Sequence, residues 1–134
     1  MDNCIFCKIA RGDAPSWKIY EDEYTYVFLD IHPVTKYNAL AIPKKHFENI
    51  FDIPTDEYAH VMNTVKKVAD IYAKKLGIKN LQIINNNGKE GQQDVFHLHY
   101  HIVPRSVKDG QDIKWTTHPE LQGEFDNMLK KLED

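Results

Sequence analysis

The feature of this sequence that most constrains its fold is the segment 95–103, in which histidine and apolar residues alternate. Successive side chains of a β-strand point to opposite faces of a sheet. The alternation therefore predicts a strand that carries His97, His99 and His101 on one face. The opposite face carries four apolar residues, Phe96, Leu98, Tyr100 and Ile102. We expect the apolar face to pack in a core and the histidine face to carry chemistry.

The three histidines allow two chemical interpretations that their spacing cannot separate. Alternate imidazoles on a strand can converge on a metal ion, because Zn²⁺ accepts three protein ligands and a water. Alternatively, one imidazole is a nucleophile, since an ordinary pKa of ~6.5 leaves it a free lone pair at neutral pH. In that case the neighbouring imidazoles donate hydrogen bonds to phosphate oxygens.

Four shorter patterns predict further strands. Residues 19–20 and 24–29 read as a hairpin around an acidic turn. Residues 38–42 read as a third strand, which ends at Pro43 because proline cannot donate a ladder hydrogen bond. Residues 81–84 read as a further strand. Together with segment 95–103, these patterns predict a mainly antiparallel sheet of about five strands.

Two helices are expected beside the sheet. The first is a long helix, because apolar residues recur at helical spacing along one stripe between Thr55 and Gly77. Thr55 can cap this helix and Gly77 can end it. Residues 118–132 predict a C-terminal helix, weakened by Gly123. The predicted fold is α+β, with the long helix against the apolar face of the sheet and the histidines on the exposed side.

Composition limits the function classes. A length of 134 residues favours one domain, residues 1–134, and 42% hydrophobic with 28% charged residues is ordinary for a folded protein. The net charge of −3 provides no positive field that would hold a nucleic acid. No apolar run approaches the ~18 to 20 residues that span a bilayer, and the N-terminus lacks a secretory signal. We therefore expect a cytoplasmic protein without nucleic-acid or membrane partners.

The run QDVFHLHYHIVP, residues 93–104, resembles the His-x-His-x-His signature of the histidine triad (HIT) family. Four further pieces, CIFCKI, FLDIHPV, AIPKKH and NNNG, are similar to family segments and occur in the same order, so the resemblance extends from Cys4 to Arg105. The N-terminal C-x-x-C and the PKKH element resemble the Hint branch of bacterial type. The resemblance implies a HIT-like fold and chemistry on purine nucleotides.

The resemblance also implies catalytic roles. The middle histidine of the family signature, here His99, is the nucleophile that forms a covalent nucleotidyl-histidine, which water then hydrolyses. His101 is expected to contact the α-phosphate, and His97 to orient its neighbours or to serve a metal. Gln93 matches a glutamine near the phosphate or the leaving group. Asp94 stands where eukaryotic Hint proteins have a serine, and we expect it to be tolerated outside the catalytic core.

For the nucleotide, the resemblance implies a ribose contact at Asp30, whose carboxylate can only accept hydrogen bonds and so suits a diol. Asn86 matches an asparagine on the phosphate side of the ligand. Taken alone, Asp30 and Asn86 are equally compatible with turn residues. The apolar positions that match the purine site are Phe6, Ile9, Phe28 and Ile31, although such residues taken singly are more often core.

The only cysteines, Cys4 and Cys7, form half of a tetrahedral metal site. The resemblance implies that His46 of PKKH and His97 complete it as a structural zinc site, in which case the His97 ring turns away from the phosphate. A Cys₂His₂ shell is closed and holds no catalytic water. The alternative is a pair of reduced cysteines that pack as small apolar residues.

The resulting main hypothesis is hydrolysis of purine nucleoside phosphoramidates or aminoacyl adenylates, with AMP derivatives as substrates. One alternative is a dinucleoside polyphosphate hydrolase that uses the same nucleophile. Another is a zinc-bearing interaction module that binds a nucleotide but turns over slowly. A third is metal-dependent hydrolysis through the three histidines. The resemblance also implies a homodimer whose sheets join edge to edge.

Overall fold

The computed structural model of the protein describes residues 3–134, in which five strands form one antiparallel sheet. The strands are β1 (Lys18–Glu21), β2 (Thr25–Leu29), β3 (Ala39–Pro43), β4 (Leu81–Ile84) and β5 (Tyr100–Pro104). Their order across the sheet is β1-β2-β3-β5-β4, so that β5 lies between β3 and β4. The prediction of an α+β fold with a five-stranded, mainly antiparallel sheet is confirmed.

The long helix follows β3 in the chain. Three α-helices are described, α1 (Ile5–Arg11), α2 (Thr55–Leu76) and α3 (Phe125–Leu132). Helix α2 ends as predicted at Gly77, which adopts φ +69° and donates its N–H to the Ala73 carbonyl. The prediction that Thr55 caps this helix is wrong. Pro54 is the N-cap residue, Thr55 is already helical, and no side chain caps the first turn.

One face of the sheet packs against α2. Because side chains alternate along each strand, the same strands supply two different faces. The core on the α2 face consists of Val27, Ala39, Ala41, Val61, Val65, Val68, Tyr72, Leu98, Tyr100 and Ile102. Five of these residues belong to strands, four belong to α2, and Leu98 lies just before β5, so the long helix seals this face.

The opposite face is covered by α1, which the sequence did not predict because seven residues are too few for a periodic pattern. Helix α1 is capped by the Cys4 sulfur, which accepts a hydrogen bond from the Cys7 N–H (3.3 Å), and it ends at Gly12 with φ +83°. The core on the α1 face consists of Phe6, Ile9, Tyr26, Phe28, Leu40 and Ile42. The expectation that the histidines lie on an exposed side is wrong for two of them, since Phe6 of α1 packs against the buried rings of His97 and His99, whereas His101 is half-buried.

The predicted strand 95–103 is shorter than expected, because β5 begins only at Tyr100. On one side β4 ends at Ile84, which pairs with His101, and on the other β3 ends at Pro43. The residues before Tyr100 bond to a loop instead of to a neighbouring strand: the Leu98 N–H donates to the Phe47 carbonyl at 2.7 Å. As a result Phe96, predicted to be core, is 42% exposed, whereas Leu98, Tyr100 and Ile102 are buried as predicted.

The C-terminal segment also differs from the expectation of one helix over 118–132. A 3₁₀ helix, Pro119–Glu124, precedes α3, and Gly123 lies in this first part. The apolar side chains of the segment are exposed, among them Leu121, Phe125, Leu129 and Leu132. Of the helices in residues 3–134, none combines the length and the apolar character needed to cross a membrane.

Candidate active site and adjoining metal-ligand cluster

The ring of His99 is held in one orientation at the start of β5. Its Nδ1 lies 2.8 Å from the carbonyl oxygen of His97. A carbonyl can only accept a hydrogen bond, so Nδ1 carries the hydrogen and Nε2 of the neutral ring keeps a lone pair. The Asn85 amide donates to the His99 carbonyl at 3.0 Å and fixes the backbone. The side chain is 3% exposed, so solvent has little access to this ring.

Next to His99 lies a cavity of about 400 Å³, which we call the main cavity. Its walls come from α1, the loop that follows it, β2 and the turn after β2. The four apolar residues expected around a purine all line it, namely Phe6, Ile9, Phe28 and Ile31. Asp30, His99 and His101 line it as well. The cavity therefore brings together most of the predicted nucleotide-binding residues, and its apolar walls suit a flat ring.

Asp30 lies at the border of the main cavity and a smaller one. Its Oδ1 accepts a hydrogen bond from the His32 N–H at 2.8 Å. The smaller cavity, of about 280 Å³, is lined by Asp30, His101 and Asn86, and we call it the Asn86 cavity. Asn86 does not line the main cavity. The structure thus brings Asn86 near the expected phosphate contact His101 but separates it from the apolar walls.

The His101 ring lies beside His99, with ring centroids 4.9 Å apart. Burial lowers the pKa of His101, and the adjacent His99 lowers it further, while Asp30 and Asp94 oppose the shift. With its pKa below the ordinary value, His101 is neutral at pH 7 and offers one N–H donor. It can contact a phosphoryl oxygen without adding a charge.

Gln93 does not line the main cavity, although a place near the phosphate was expected for it. Its Nε2 donates to the carbonyls of Glu48 (2.6 Å) and Val95 (3.1 Å). Its Oε1 accepts from the Gly88 N–H (2.9 Å) and the Asn49 amide (3.4 Å). Both polar atoms are therefore engaged in holding the loops around the site together, and a buried amide left unpaired would be costly.

The four predicted metal ligands form a cluster on the α1 face. Ligand atoms of Cys4, Cys7, His46 and His97 all lie within 4.8 Å of one another. The Nδ1 of His97 is 3.4 Å from each cysteine sulfur. The Nδ1 of His46 is 3.3 Å from the Cys7 sulfur. Helix α1, the loop after β3 and the residues before β5 meet at this point.

The chemistry of this cluster fits a zinc ion. The Nε2 of His97 donates to the Pro43 carbonyl at 2.8 Å, so its Nδ1 is unprotonated and adjacent to both sulfurs, as a metal ligand requires. Burial lowers the pKa of His97 to about 4, which keeps the ring neutral. Burial, and then Cys4, raise the pKa of Cys7, which means that the buried thiolate is unfavourable. A bound cation would offset this free-energy cost. Two sulfurs and two imidazoles are a donor set typical of tetrahedral zinc.

The three histidines of the signature do not share one task. His97 is fully buried in the metal-ligand cluster and does not line the main cavity, as expected for a ring turned away from the phosphate. Its carbonyl nevertheless orients His99. Within residues 3–134, the group of potential metal ligands contains His97 but neither His99 nor His101. This geometry does not favour one ion held by all three rings.

Sequence reasoning missed the position of Asp94, which lines the main cavity. Its Oδ1 lies 3.3 Å from the Nε2 of His99 and accepts the Val95 N–H at 2.9 Å. Burial raises the pKa of Asp94, but the Val95 N–H and the neighbouring histidines outweigh burial and hold it below the ordinary value. The carboxylate is therefore ionised at pH 7 and can only accept, so it hydrogen-bonds Nε2 of His99 only when that nitrogen carries a hydrogen; beside the neutral ring it is a neighbouring negative charge. Its departure from the serine of related sequences was the feature that could have indicated a role.

Comparisons with known proteins agree with this geometry. A family model of the HIT domain matches residues 11–108. The chain is 47% identical to Protein hit of Bacillus subtilis, over 98% of this chain and 95% of that protein. It is 38% identical to adenosine 5′-monophosphoramidase HNT1 of Saccharomyces cerevisiae, over 95% of this chain and 77% of that one. The crystal structure of a Zn-bound histidine triad family protein from Mycobacterium smegmatis is similar, with a TM-score of 0.78 and 34% identity over 98% and 99% of the two chains.

Proposed function

The chain belongs to the histidine triad family, and from this premise we propose that it cleaves purine nucleoside phosphoramidates or aminoacyl adenylates. Relatives that include an adenosine 5′-monophosphoramidase support nucleotide hydrolysis. The observation that carries the proposal is the orientation of His99: its Nδ1 hydrogen is engaged by a carbonyl, and its ring lines a cavity with apolar walls. This arrangement suits a nucleophile next to a bound nucleotide.

The proposed reaction has two displacements at the α-phosphorus. First the lone pair of His99 Nε2 forms a bond to phosphorus, while the bond from phosphorus to the leaving group breaks; the leaving atom keeps the electron pair. A leaving amine also takes up a proton from solvent, and the proton that the attacking water loses in the second displacement returns to solvent. Water then attacks phosphorus, loses a proton, releases the nucleoside monophosphate and regenerates His99. The His97 carbonyl accepts the Nδ1 hydrogen throughout and stabilises the positive charge on the modified ring.

The remaining residues position the substrate. The apolar walls hold the purine, and the carboxylate of Asp30 accepts the ribose hydroxyls with the oxygen that His32 leaves available. His101 donates its one hydrogen to a phosphoryl oxygen, where negative charge develops in the transition state. Gln93 acts indirectly, by fixing the two loops that flank residues 95–99.

Zinc in the cluster of Cys4, Cys7, His46 and His97 is part of the same proposal. The tautomer of His97 and the donor set support it. A bound ion would supply a structural cross-link between α1 and the residues before β5, and its closed shell would leave the reaction to His99. Because His97 also offers its carbonyl to His99, the cross-link would hold the nucleophile in position.

A dinucleoside polyphosphate hydrolase is the runner-up, since it would use the same nucleophile. The test compares kcat/KM for an adenosine 5′-phosphoramidate and a diadenosine polyphosphate. We expect the phosphoramidate to be preferred, and single-turnover mixing to trap an acid-labile adenylyl group on the protein. Preference for the polyphosphate would favour the runner-up. Protection by AMP without any adduct would favour a nucleotide-binding module.

A homodimer formed edge to edge stays a prediction. The two edge strands of the sheet, β1 and β4, each have one side without a partner strand within residues 3–134. An exposed strand edge can pair with a second copy. Analytical ultracentrifugation over a range of concentrations checks this prediction, and a mass of one chain throughout would contradict it.

A further inference from the structure

Asp94 lies where two cavities adjoin. Besides the main cavity, it lines a second cavity of about 410 Å³, which is also lined by Glu48 and Phe96 and which we call the Glu48 cavity. Ile5, Asp94 and Val95 line both cavities. A nucleotide in the main cavity would thus have a second space next to it, and Asp94 lies on the boundary between the two.

The charges around this junction are one-sided. Of the residues that line the main cavity and the Glu48 cavity in the described part of the chain, none is a lysine or an arginine. The side chains with a fixed charge are the carboxylates of Asp30, Asp94 and Glu48. Cationic side chains would be needed to compensate a chain of phosphates. This site therefore has no cationic side chain that would attract an anionic leaving group, but it has carboxylates that would attract a cationic one.

The distance from Asp94 to the nucleophile makes its charge effective. A phosphorus atom that His99 can attack lies ~3 to 3.5 Å from Nε2, and Asp94 Oδ1 lies 3.3 Å from the same nitrogen. The leaving atom is one bond beyond that phosphorus, so its distance from the carboxylate is at most about equal to the ~8 Å Debye length at physiological ionic strength. Its charge is thus only partly screened from Asp94, although the carboxylate is 75% exposed.

We propose that Asp94 determines the specificity for the leaving group and selects substrates whose leaving group carries an ammonium, against substrates whose leaving group is anionic. The inference rests on the proposed function and narrows its substrate class. Phosphoramidates of diamines belong to the favoured class, and so do aminoacyl adenylates, because the acyl group of the bound substrate carries a free ammonium and becomes a carboxylate only as it leaves. Phosphoramidates of amino acids through their amine, and nucleoside polyphosphates, belong to the disfavoured class. The two displacements at phosphorus stay the same for all of them.

The test uses three adenosine 5′-phosphoramidates whose amines have similar length and differ in charge: ethylenediamine (cationic), propylamine (neutral) and β-alanine (anionic). In the unmodified protein we expect kcat/KM to fall in that order, with a cation-to-anion ratio of ~10-fold or more. In Asp94→Asn we expect the ratio to fall to within about twofold of unity, since the amide carries no charge. Asp94→Glu restores the charge and should restore the order.

Two controls separate this effect from general changes. Asp126→Asn removes a carboxylate on the exposed surface of α3 and should leave the ratio unchanged. Raising the ionic strength should lower the ratio in the unmodified protein and in Asp94→Glu, but not in Asp94→Asn. Because the ratio compares substrates on one protein sample, partial loss of folded protein does not affect it.

An unchanged ratio in Asp94→Asn, with all three substrates turned over, would overturn the inference while the proposed function stands. A failure of the unmodified protein to turn over any of the three, or to form an adenylyl adduct, would overturn the proposed function and the inference with it. A ratio that favours the anionic leaving group in the unmodified protein would also overturn the inference.

Discussion

The two faces of the sheet are built from the same strands but differ in what they bury. On the α2 face, Val61, Val68 and Ile102 are fully buried in an apolar core. On the α1 face, His97 and His99 are buried almost as completely, beside a cavity. Burying polar groups costs free energy unless they are hydrogen-bonded. The comparison teaches that the apolar α2 face can stabilise the fold, while the polar α1 face positions the histidines and the cavity of the candidate site.

The polar face is tolerated because its buried donors have acceptors. Both histidine rings donate to backbone carbonyls, at Pro43 and at His97, and the amide of Gln93 is engaged at both ends. Such pairing fixes each ring in a single tautomer. The short helix α1 is sufficient to cover this face, because these hydrogen bonds add to the stability that its small apolar contact with the sheet provides.

The largest expected effect is the loss of activity in a variant without His99, which tests whether the reaction takes place on the α1 face. In His99→Ala we expect kcat to fall by ~10³-fold or more, because the nucleophile is lost. Nucleotide binding should change little, since the apolar walls and Asp30 remain. Single-turnover kinetics with an adenosine phosphoramidate, and calorimetric titration with AMP, measure the two quantities. His118→Ala, an exposed histidine far along the chain, is the control and should keep full activity. Turnover above a few per cent in His99→Ala would contradict the assignment.

Metal removal tests whether a bound zinc ion stabilises the α1 face, which has a smaller apolar core than the α2 face. We expect one zinc per chain and a stabilisation of about 4 kcal/mol when free zinc is a thousand times its Kd. A chelator should therefore lower the melting temperature, and Cys7→Ser should abolish both the binding and the chelator effect. His118→Ala, outside the cluster, should behave like the unmodified protein. A melting temperature that does not depend on zinc would contradict this prediction.

Alkaline pH should probe the buried tyrosines of the α2 face. Burial raises the pKa of Tyr72 to about 12, and burial also raises the pKa of Tyr100. Below pH 10 the stability contributed by neutral Tyr72 is fully present, and it is lost as the pH rises from 10 to 12, by at most about 3 kcal/mol. In Tyr72→Phe the free energy of unfolding, from urea titrations, should depend less steeply on pH in this window. An equally steep loss would show that other groups are responsible.

The smallest expected effect compares the same substitution on the two faces. Val61→Ala empties part of the sealed core and should lower the free energy of unfolding by about 2 kcal/mol, with kcat/KM unchanged. Val95→Ala, on the wall between the main cavity and the Glu48 cavity, should cost less stability and raise KM. Denaturant titration and steady-state kinetics measure both. Equal effects of the two variants on stability and on KM would remove the distinction between the faces.

Much of the fold could be predicted because local patterns determine it. The apolar stripe and Gly77 predicted α2 and its end, and short apolar runs predicted four strands to within one or two residues. Helix α1 escaped prediction because its cap is a cysteine sulfur and its length gives no periodicity. Segment 95–99 alternates like a strand, but its backbone bonds to the loop after β3.

The candidate site was predicted unevenly. The apolar walls, Asp30 and the four metal ligands are brought together as expected, since each belonged to a segment with a recognisable motif. Gln93 and Asp94, which are adjacent in the chain, exchanged their expected places: the amide holds loops and the carboxylate lies beside the nucleophile. No pattern in the sequence specifies which of two neighbouring polar side chains turns inward.

The sequence by itself determined four of the strands, the long helix α2, and the alternation of histidine and apolar residues in segment 95–103, because these depend on the spacing of side chains along the chain. Only the tertiary structure decided that α1 covers the histidines, that His97 joins the cysteines while His99 lines a cavity, and that Asp94 lies beside the nucleophile. The physical reason is that these relations are distances between residues up to 93 positions apart. Packing and hydrogen-bond satisfaction across the whole sheet set such distances, and no local pattern encodes them.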